Sequence, residues 1–119
     1  MLIRWTHNVE LLGLPILQDF KRKHANARKA LDAWQVEAEH SHWQTSHDVK
    51  QRYPSADFLA DNRVIFNIKG NHFRLVVKVR YQYGLVVIEW VGTHAEYDKQ
   101  SFWGALCKLK SLNIVLIMI

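Results

Sequence analysis

The stretch Val64 to Lys99, VIFNIKGNHFRLVVKVRYQYGLVVIEWVGTHAEYDK, decides the fold of this chain. It contains three runs rich in β-branched and aromatic residues, which the sequences KGNH and YQYG separate. A Gly-Asn pair between two such runs is typical of a two-residue hairpin turn. A turn at Gly70-Asn71 places Ile68 opposite Phe73 and, at the far end of the ladder, Arg63 opposite Lys78. The stretch therefore predicts two successive β-hairpins.

The two faces of the first hairpin differ in character, since residues paired across a ladder share a face. The predicted core face is apolar and carries Val64, Phe66, Ile68, Phe73, Leu75, Val77 and Val79. The other face, called the basic face below, carries Arg63, Asn67, Lys69, His72, Arg74, Lys78 and Arg80, with Ile65 and Val76 as its apolar members. Arg63 opposite Lys78 is like-charge crowding that a bound polyanion would relieve. The alternative is the ordinary solvated side of an antiparallel sheet.

The third strand runs from Leu85 to Val91, after a four-residue loop, Tyr81–Gly84. This register directs Val86, Ile88 and Trp90 to the core face and Val87, Glu89 and Val91 to the basic face. Alternation from Trp90 would also bury His94. A glycine inside a strand often marks a β-bulge, which reverses the later side chains. We therefore predict a bulge at Gly92 that brings His94 to the basic face beside Arg74.

The residues before the hairpins predict helices that cover the core face. Pro15 suits the first turn of a helix, and Asn26 suits the N-cap of a second one. In the second helix Ala27, Leu31, Trp34 and Ala38 share one face. Ser46-His47-Asp48 opens a third helix, which Pro54 ends. Met1 to Val9 is expected to be a short edge strand or an ordered arm, and Trp34, Trp43 and Trp90 are expected in the core.

Length and composition favour one domain with a basic surface. The chain has 119 residues, with sixteen Lys and Arg against eleven Asp and Glu, and a formal net charge of +5. This charge favours nucleic acid, an anionic surface or an acidic partner protein. The single cysteine, Cys107, excludes an intramolecular disulfide and suits a reducing cytoplasm. The histidine spacing in Glu37–His42 fits no structural zinc pattern, so we expect neither a metal nor another cofactor.

FNIKGNHFRLVVKV followed by VGTHAEYDK resembles the HigB branch of the RelE-like toxins, which are ribonuclease toxins of bacterial toxin-antitoxin pairs. The similarity is strongest over 67–99 and extends back to about Leu14. It implies a single domain of α+β class, with N-terminal helices packed on one face of a small antiparallel sheet. It also implies cleavage of messenger RNA, often on the ribosome, until a HigA-type helix-turn-helix antitoxin blocks the toxin.

The resemblance carries three candidate catalytic residues: Arg74 after the Gly-Asn turn, and His94 and Tyr97 within THAEYDK. Histidine suits proton transfer, and arginine suits a phosphate. The register adds Arg63, Asn67, Lys69, His72, Lys78 and Arg80 as RNA-binding candidates. Tyr81 and Tyr83 are candidates for base stacking.

Two other functions remain open: a non-catalytic nucleic-acid-binding module, and an interaction protein that docks an acidic partner. The ending after Lys99, SFWGALCKLKSLNIVLIMI, departs from the family pattern. Its apolar end, Leu112 to Ile119, is far shorter than the roughly 20 residues of a membrane-spanning helix. We expect no membrane anchor there and expect this end to pack on the domain or on a partner.

Overall fold

The computed structural model describes residues 8–99, and the expectations for Met1 to His7 and for the ending after Lys99 lie outside this range. The described elements, in chain order, are β1 (Glu10–Leu12), α1 (Leu14–Lys23), α2 (Arg28–Glu39), α3 (Ser46–Arg52), β2 (Asp57–Leu59), β3 (Arg63–Ile68), β4 (Phe73–Arg80), β5 (Leu85–Thr93) and α4 (His94–Lys99). Single 3₁₀ turns cover Ala25–Ala27 and Tyr81–Tyr83. None of the helices within 8–99 has the length and apolar character needed to cross a membrane.

The strands form one mixed sheet in the order β1-β5-β4-β3-β2. This confirms the predicted α+β class, but the sheet is not wholly antiparallel. β1 pairs with β5 in parallel, with Glu10 opposite Leu85, while the other neighbours are antiparallel. The two edge strands, β1 and β2, have three residues each, which is too short for an alternating pattern to reveal them in the sequence.

The hairpin of β3 and β4 has the predicted register, from Arg63 opposite Lys78 to Ile68 opposite Phe73. The N–H of His72 donates to the carbonyl of Lys69 at 3.2 Å, which closes the turn around Gly70-Asn71. All residues of the predicted core face are buried, none more than 4% exposed. The turn chemistry and the apolar pattern therefore determine this half of the sheet.

Helices α1, α2 and α3 lie where the sequence placed them and cover the core face. The predicted stripe of α2 is buried, and the rings of Trp34 and Trp43 lie 5.3 and 5.9 Å from that of Phe66. The prediction of Asn26 as an N-cap is wrong. A 3₁₀ turn carries the chain into α2, whose N-cap residue is Ala27 without a side-chain cap bond.

α3 begins with a capping box between Thr45 and Asp48. The backbone N–H groups of Gln44 and Thr45 donate to the Asp48 carboxylate at 2.9 and 3.1 Å. These donors stabilise the ionised form and hold the pKa of Asp48 below its usual value. The cap gives the short helix a defined start.

The pairing of β4 with β5 contains the one deviation that rearranges the candidate site. From Arg80 opposite Leu85 to Val77 opposite Ile88 the predicted register holds, but Val76 then pairs with Trp90. Glu89 is the extra residue, so the bulge lies there and not at Gly92. The shift reverses the next side chains, because one inserted residue changes the parity of the strand.

Two predicted positions on β5 are therefore wrong. Trp90 lies on the basic face, where it packs against Ile65 and Val76. Val91 joins the core and is 9% exposed. The irregularity was predicted at a glycine, whereas it lies at an acidic residue that pairs with Arg63 across the sheet.

Candidate nucleic-acid interface

The bulge at Glu89 brings His94 to the basic face. Gly92 pairs with Arg74, and the chain enters α4 at His94. The His94 N–H donates to the carbonyl of His72 at 3.0 Å, which ties the start of α4 to the hairpin tip. Arg74 Nε then donates to His94 Nε2 at 2.9 Å. The two side chains meet as expected, although a different residue forms the bulge.

The contact defines which nitrogen of His94 carries the proton. A guanidinium can only donate, so Nε2 accepts with its lone pair and the ring proton lies on Nδ1. His94 Nδ1 is 3.8 Å from Asp98 Oδ2, one helical turn further along α4. The His94 side chain is 33% exposed. The His94 imidazole, whose Nε2 faces Arg74, is therefore accessible to a ligand.

Tyr97 holds the other side of Arg74. The guanidinium carbon lies 4.7 Å from the centroid of the Tyr97 ring, a cation–π geometry. The Tyr97 ring is 5.9 Å from that of Trp90. Within residues 8–99 the two Nη groups of Arg74 make no hydrogen bond, so they can donate to an anion. Together, Arg74, His94 and Tyr97 form what we call the Arg74 cluster.

A capping box positions α4 and thereby two members of this cluster. The Thr93 N–H donates to the Glu96 carboxylate at 2.8 Å, and the Glu96 N–H donates to Thr93 Oγ1 at 3.0 Å. His94 and Tyr97 lie three residues apart in this helix and so share a face. The T-x-x-E spacing is a sequence signal for a helix start. This signal could have identified α4, which our sequence-based expectations did not include.

The basic face has an apolar centre. Val76 and Ile65 are 0% and 2% exposed, and Leu59, Trp90 and Tyr97 pack against them. The Trp90 indole lies over Gly92, where a Cβ atom would come within 2.5 Å of the ring. Gly92 is therefore needed for the close approach of Trp90 and not for a bulge.

Arg63 is an internal ion-pair partner, contrary to the argument from like-charge crowding. Its Nε donates to Glu89 Oε1 at 2.7 Å, and its Nη1 is 3.8 Å from Asp61. The Arg63 side chain is only 13% exposed. Because the bulge supplies Glu89, the protein itself relieves the repulsion between Arg63 and Lys78. The crowding does not require a polyanion.

Lys69 and Asn67 hydrogen-bond to backbone carbonyl groups of the protein, although Lys69 is exposed. Lys69 Nζ donates to the Asn26 carbonyl at 3.3 Å and so points at the helices. Lys69 has φ +55° and lies in the turn, where the alternation of a strand does not apply. Asn67 Nδ2 donates to the carbonyl of Ser55 at 3.0 Å. Neither side chain belongs to the Arg74 cluster.

Three other candidates remain at the surface. His72 is exposed at the hairpin tip, where its Nδ1 lies 2.8 Å from the Lys69 carbonyl. Lys78 is half-buried and Arg80 is exposed, and within 8–99 neither forms an ion pair. Of the two stacking candidates, Tyr83 is 66% exposed, whereas Tyr81 packs against the core. Burial raises the pKa of Tyr81.

The described residues contain no group of three His, Cys, Asp or Glu side chains that could hold a metal ion. In the histidine-rich segment after α2, His40 Nδ1 instead lies 2.8 Å from the Val36 carbonyl. The side chains of the Arg74 cluster offer an imidazole, a guanidinium and a phenol.

A family model for the RelE-like toxic component of a toxin-antitoxin system, HigB_toxin, matches residues 27–100. The chain belongs to the HigB toxin family. The match includes all three members of the Arg74 cluster, whereas α1 lies before it. A search of curated proteins found no match. The family identifies this protein as the toxin of a toxin-antitoxin pair and implies an antitoxin as its partner.

Proposed function

We propose that this toxin is a metal-independent endoribonuclease that cleaves messenger RNA, including message bound to the ribosome, and thereby arrests translation and growth. The observation that carries the proposal is the contact between Arg74 Nε and His94 Nε2 at 2.9 Å. The contact brings an arginine, a residue type that suits a phosphate, next to a histidine, a residue type that suits a general base. Cleavage of RNA at a 2′-hydroxyl needs this pair of functions.

His94 is the proposed general base. Its Nε2 lone pair takes the proton of the 2′-hydroxyl, and the 2′-oxygen attacks the adjacent phosphorus. The P–O5′ bond then breaks, which leaves a 2′,3′-cyclic phosphate and a 5′-hydroxyl. Asp98, 3.8 Å from Nδ1, favours the tautomer that this step needs and the imidazolium that it forms.

Arg74 is the proposed phosphate ligand. Its Nη groups bind the scissile phosphate and stabilise the charge of the phosphorane, since a guanidinium matches two phosphate oxygens. When the phosphate binds, a phosphate oxygen replaces His94 Nε2 as the acceptor of the hydrogen bond from Arg74 Nε. The lone pair of His94 is then free for the 2′-hydroxyl. The observed contact is thus the resting arrangement of the cluster.

Tyr97 is the proposed general acid. Its phenol O–H is a donor at neutral pH and gives its proton to the leaving 5′-oxygen. Its ring also holds Arg74 in place through the cation–π contact. Lys78, Arg80 and His72 are the proposed RNA-backbone ligands, since they remain at the surface. Arg63, Lys69 and Asn67 are not included because their side chains bond within the protein.

The test is cleavage of a long RNA in EDTA, with and without ribosomes, by wild type, His94→Gln and Arg74→Ala. We expect each substitution to lower the cleavage rate by on the order of a hundredfold or more, the usual effect of losing a base or a preorganised donor. His47→Gln is the matched control, because it removes an exposed imidazole on α3, away from the Arg74 cluster, and should retain most activity. Full cleavage by folded His94→Gln would refute the role of His94. No cleavage by wild type in any condition would favour a non-catalytic binding module.

The proposed antitoxin is a small helix-turn-helix protein of the HigA type. It should co-purify with the toxin and suppress cleavage, because a free ribonuclease of this kind would arrest its own host. A messenger RNA substrate also places the activity in the cytoplasm. A co-expressed neighbour of this type that never binds the toxin would contradict the partner proposal.

A further inference from the structure

Trp90 lies next to both the Arg74 cluster and a cavity at the edge of the sheet along β5. The cavity measures about 270 Å³ and is lined by Ile16, Asp19, Phe20, Lys23, Glu89, Trp90 and Val91. It opens between α1 and β5, at the edge of the sheet that β1 leaves uncovered beyond Val87. A ligand that extends from Arg74 across Trp90 therefore reaches this cavity.

The cavity is lined by the aromatic rings of Phe20 and Trp90, by one cation, Lys23, and by two carboxylates, Asp19 and Glu89, which pair with Arg22 and Arg63. Within residues 8–99, Lys23 forms no ion pair, whereas its neighbours Lys21 and Arg22 are bonded to Asp32 and Asp19. Lys23 is thus the member of the basic run at the end of α1 whose charge is available to a ligand. An aromatic ring beside a cation is the arrangement that binds bases of single-stranded nucleic acid by stacking.

The position of Trp90 is maintained by specific features of the chain. The bulge at Glu89 places the indole on the basic face, and Gly92 leaves the space that it occupies. Val76 and Ile65 support it from below. Trp90 is partly exposed, whereas the other two tryptophans within residues 8–99, Trp34 and Trp43, are buried in the core.

We propose that Trp90 and this cavity form a subsite for one unpaired base of the RNA, next to the phosphate bound by Arg74, with Lys23 binding the following phosphate. The subsite rests on the proposed ribonuclease function and names the part of the substrate that it recognises. The cavity is smaller than the roughly 300–1,000 Å³ of sites for drug-sized ligands. Its size favours a single base over a larger group.

The experiment is a binding cycle with short single-stranded RNA that carries 2′-O-methyl groups and so cannot be cleaved. One oligonucleotide series has a single abasic nucleotide, moved through each position in turn. For wild type we expect one position at which base removal weakens binding by about tenfold, the usual range for a lost stacking contact. In the Trp90→Leu variant, which keeps an apolar side chain packed on Val76, the same abasic nucleotide should leave the affinity for RNA almost unchanged. Trp90→Phe should restore most of the difference.

Two matched controls separate this subsite from general effects on the surface. Phe58→Leu removes an exposed aromatic ring on β2, at the opposite edge of the sheet, and should leave the abasic profile unchanged. Lys23→Met should weaken binding to every oligonucleotide several-fold. Lys29→Met makes the same change at an exposed position of α2 and should not weaken binding. An identical abasic penalty in wild type and Trp90→Leu, or no measurable binding to RNA, would overturn the subsite. Because the cycle measures binding alone, RNA that binds with this profile but is never cleaved would refute the proposed function and leave the subsite standing.

Discussion

At the scale of single residues, Arg74 connects the features of the candidate site. Its Nε reaches His94, its guanidinium carbon lies 4.7 Å from the centre of the Tyr97 ring, and its Nη groups are available to an anion within the described part of the chain. Lysine has the charge but neither the plane nor the fork of donors. The chemistry of the site therefore depends on geometry as well as on positive charge.

Tyr97 offers a test that separates its ring from its hydroxyl. Tyr97→Phe keeps the ring that contacts Arg74 and Trp90 and removes the phenol hydroxyl. We expect the cleavage rate to fall about a hundredfold, typical of losing a general acid, with RNA affinity close to that of wild type. Single-turnover cleavage and binding of uncleavable RNA measure the two effects.

The control for this substitution is Tyr83→Phe, which removes a phenol hydroxyl from an exposed loop residue. It should leave both measurements unchanged. If Tyr97→Phe cleaves at the rate of wild type, the role of Tyr97 is limited to its ring contacts, and another group must protonate the leaving oxygen.

At the scale of elements, the bulge in β5 decides which side chains meet. Val77 still pairs with Ile88, but Val76 pairs with Trp90, and Glu89 between them reaches Arg63 on β3. The ion pair links the bulge to a strand two positions away in the sheet. Without the extra residue, Trp90 and His94 would face the core. The bulge is therefore part of the candidate site.

Breaking the Arg63–Glu89 pair should destabilise the protein and the site together. Arg63→Met leaves the half-buried Glu89 carboxylate without its partner, and we expect a loss of about 2 kcal/mol in the free energy of unfolding. Cleavage should fall because the segment that carries Trp90 and His94 loses its anchor. Urea denaturation measures the stability, and the RNA assay measures the activity.

The double variant Arg63→Met/Glu89→Leu is the matched comparison. Replacing both charges by apolar groups leaves no unpaired charge, so it should cost less than the sum of the single changes. Strictly additive losses would show that the two side chains do not interact, and that the bulge is held by the backbone alone.

At the scale of the whole molecule, the formal net charge is +5, but only some of the cationic side chains are available to a ligand. Arg63, Lys21 and Arg22 form ion pairs with carboxylates. Arg74, Lys78 and Arg80 remain on the basic face without one among the described residues. The surface that can bind a polyanion is thus smaller than the composition indicates.

The salt dependence of RNA binding measures this available charge. Contacts with about three phosphates should give a slope near −2 in a plot of log affinity against log salt, since each contact to a single strand contributes about −0.7. Arg80→Met should reduce the magnitude of the slope by about 0.7, the contribution of one phosphate contact. Lys29→Met, at an exposed position of α2, should leave the slope unchanged. A salt-independent affinity would instead support a surface that docks a protein.

Local sequence patterns were enough to predict the three N-terminal helices, the β3–β4 register and the surface on which Arg74 lies. Each follows from a local cause: the apolar stripe of α2, the Gly70-Asn71 turn, and the alternation of a strand with one buried face. Tertiary structure alone decided where β5 departs from that alternation. The bulge lies at Glu89 because its carboxylate pairs with Arg63, a residue far away in the sequence. That single shift carried Trp90 out of the predicted core and brought His94 within 2.9 Å of Arg74.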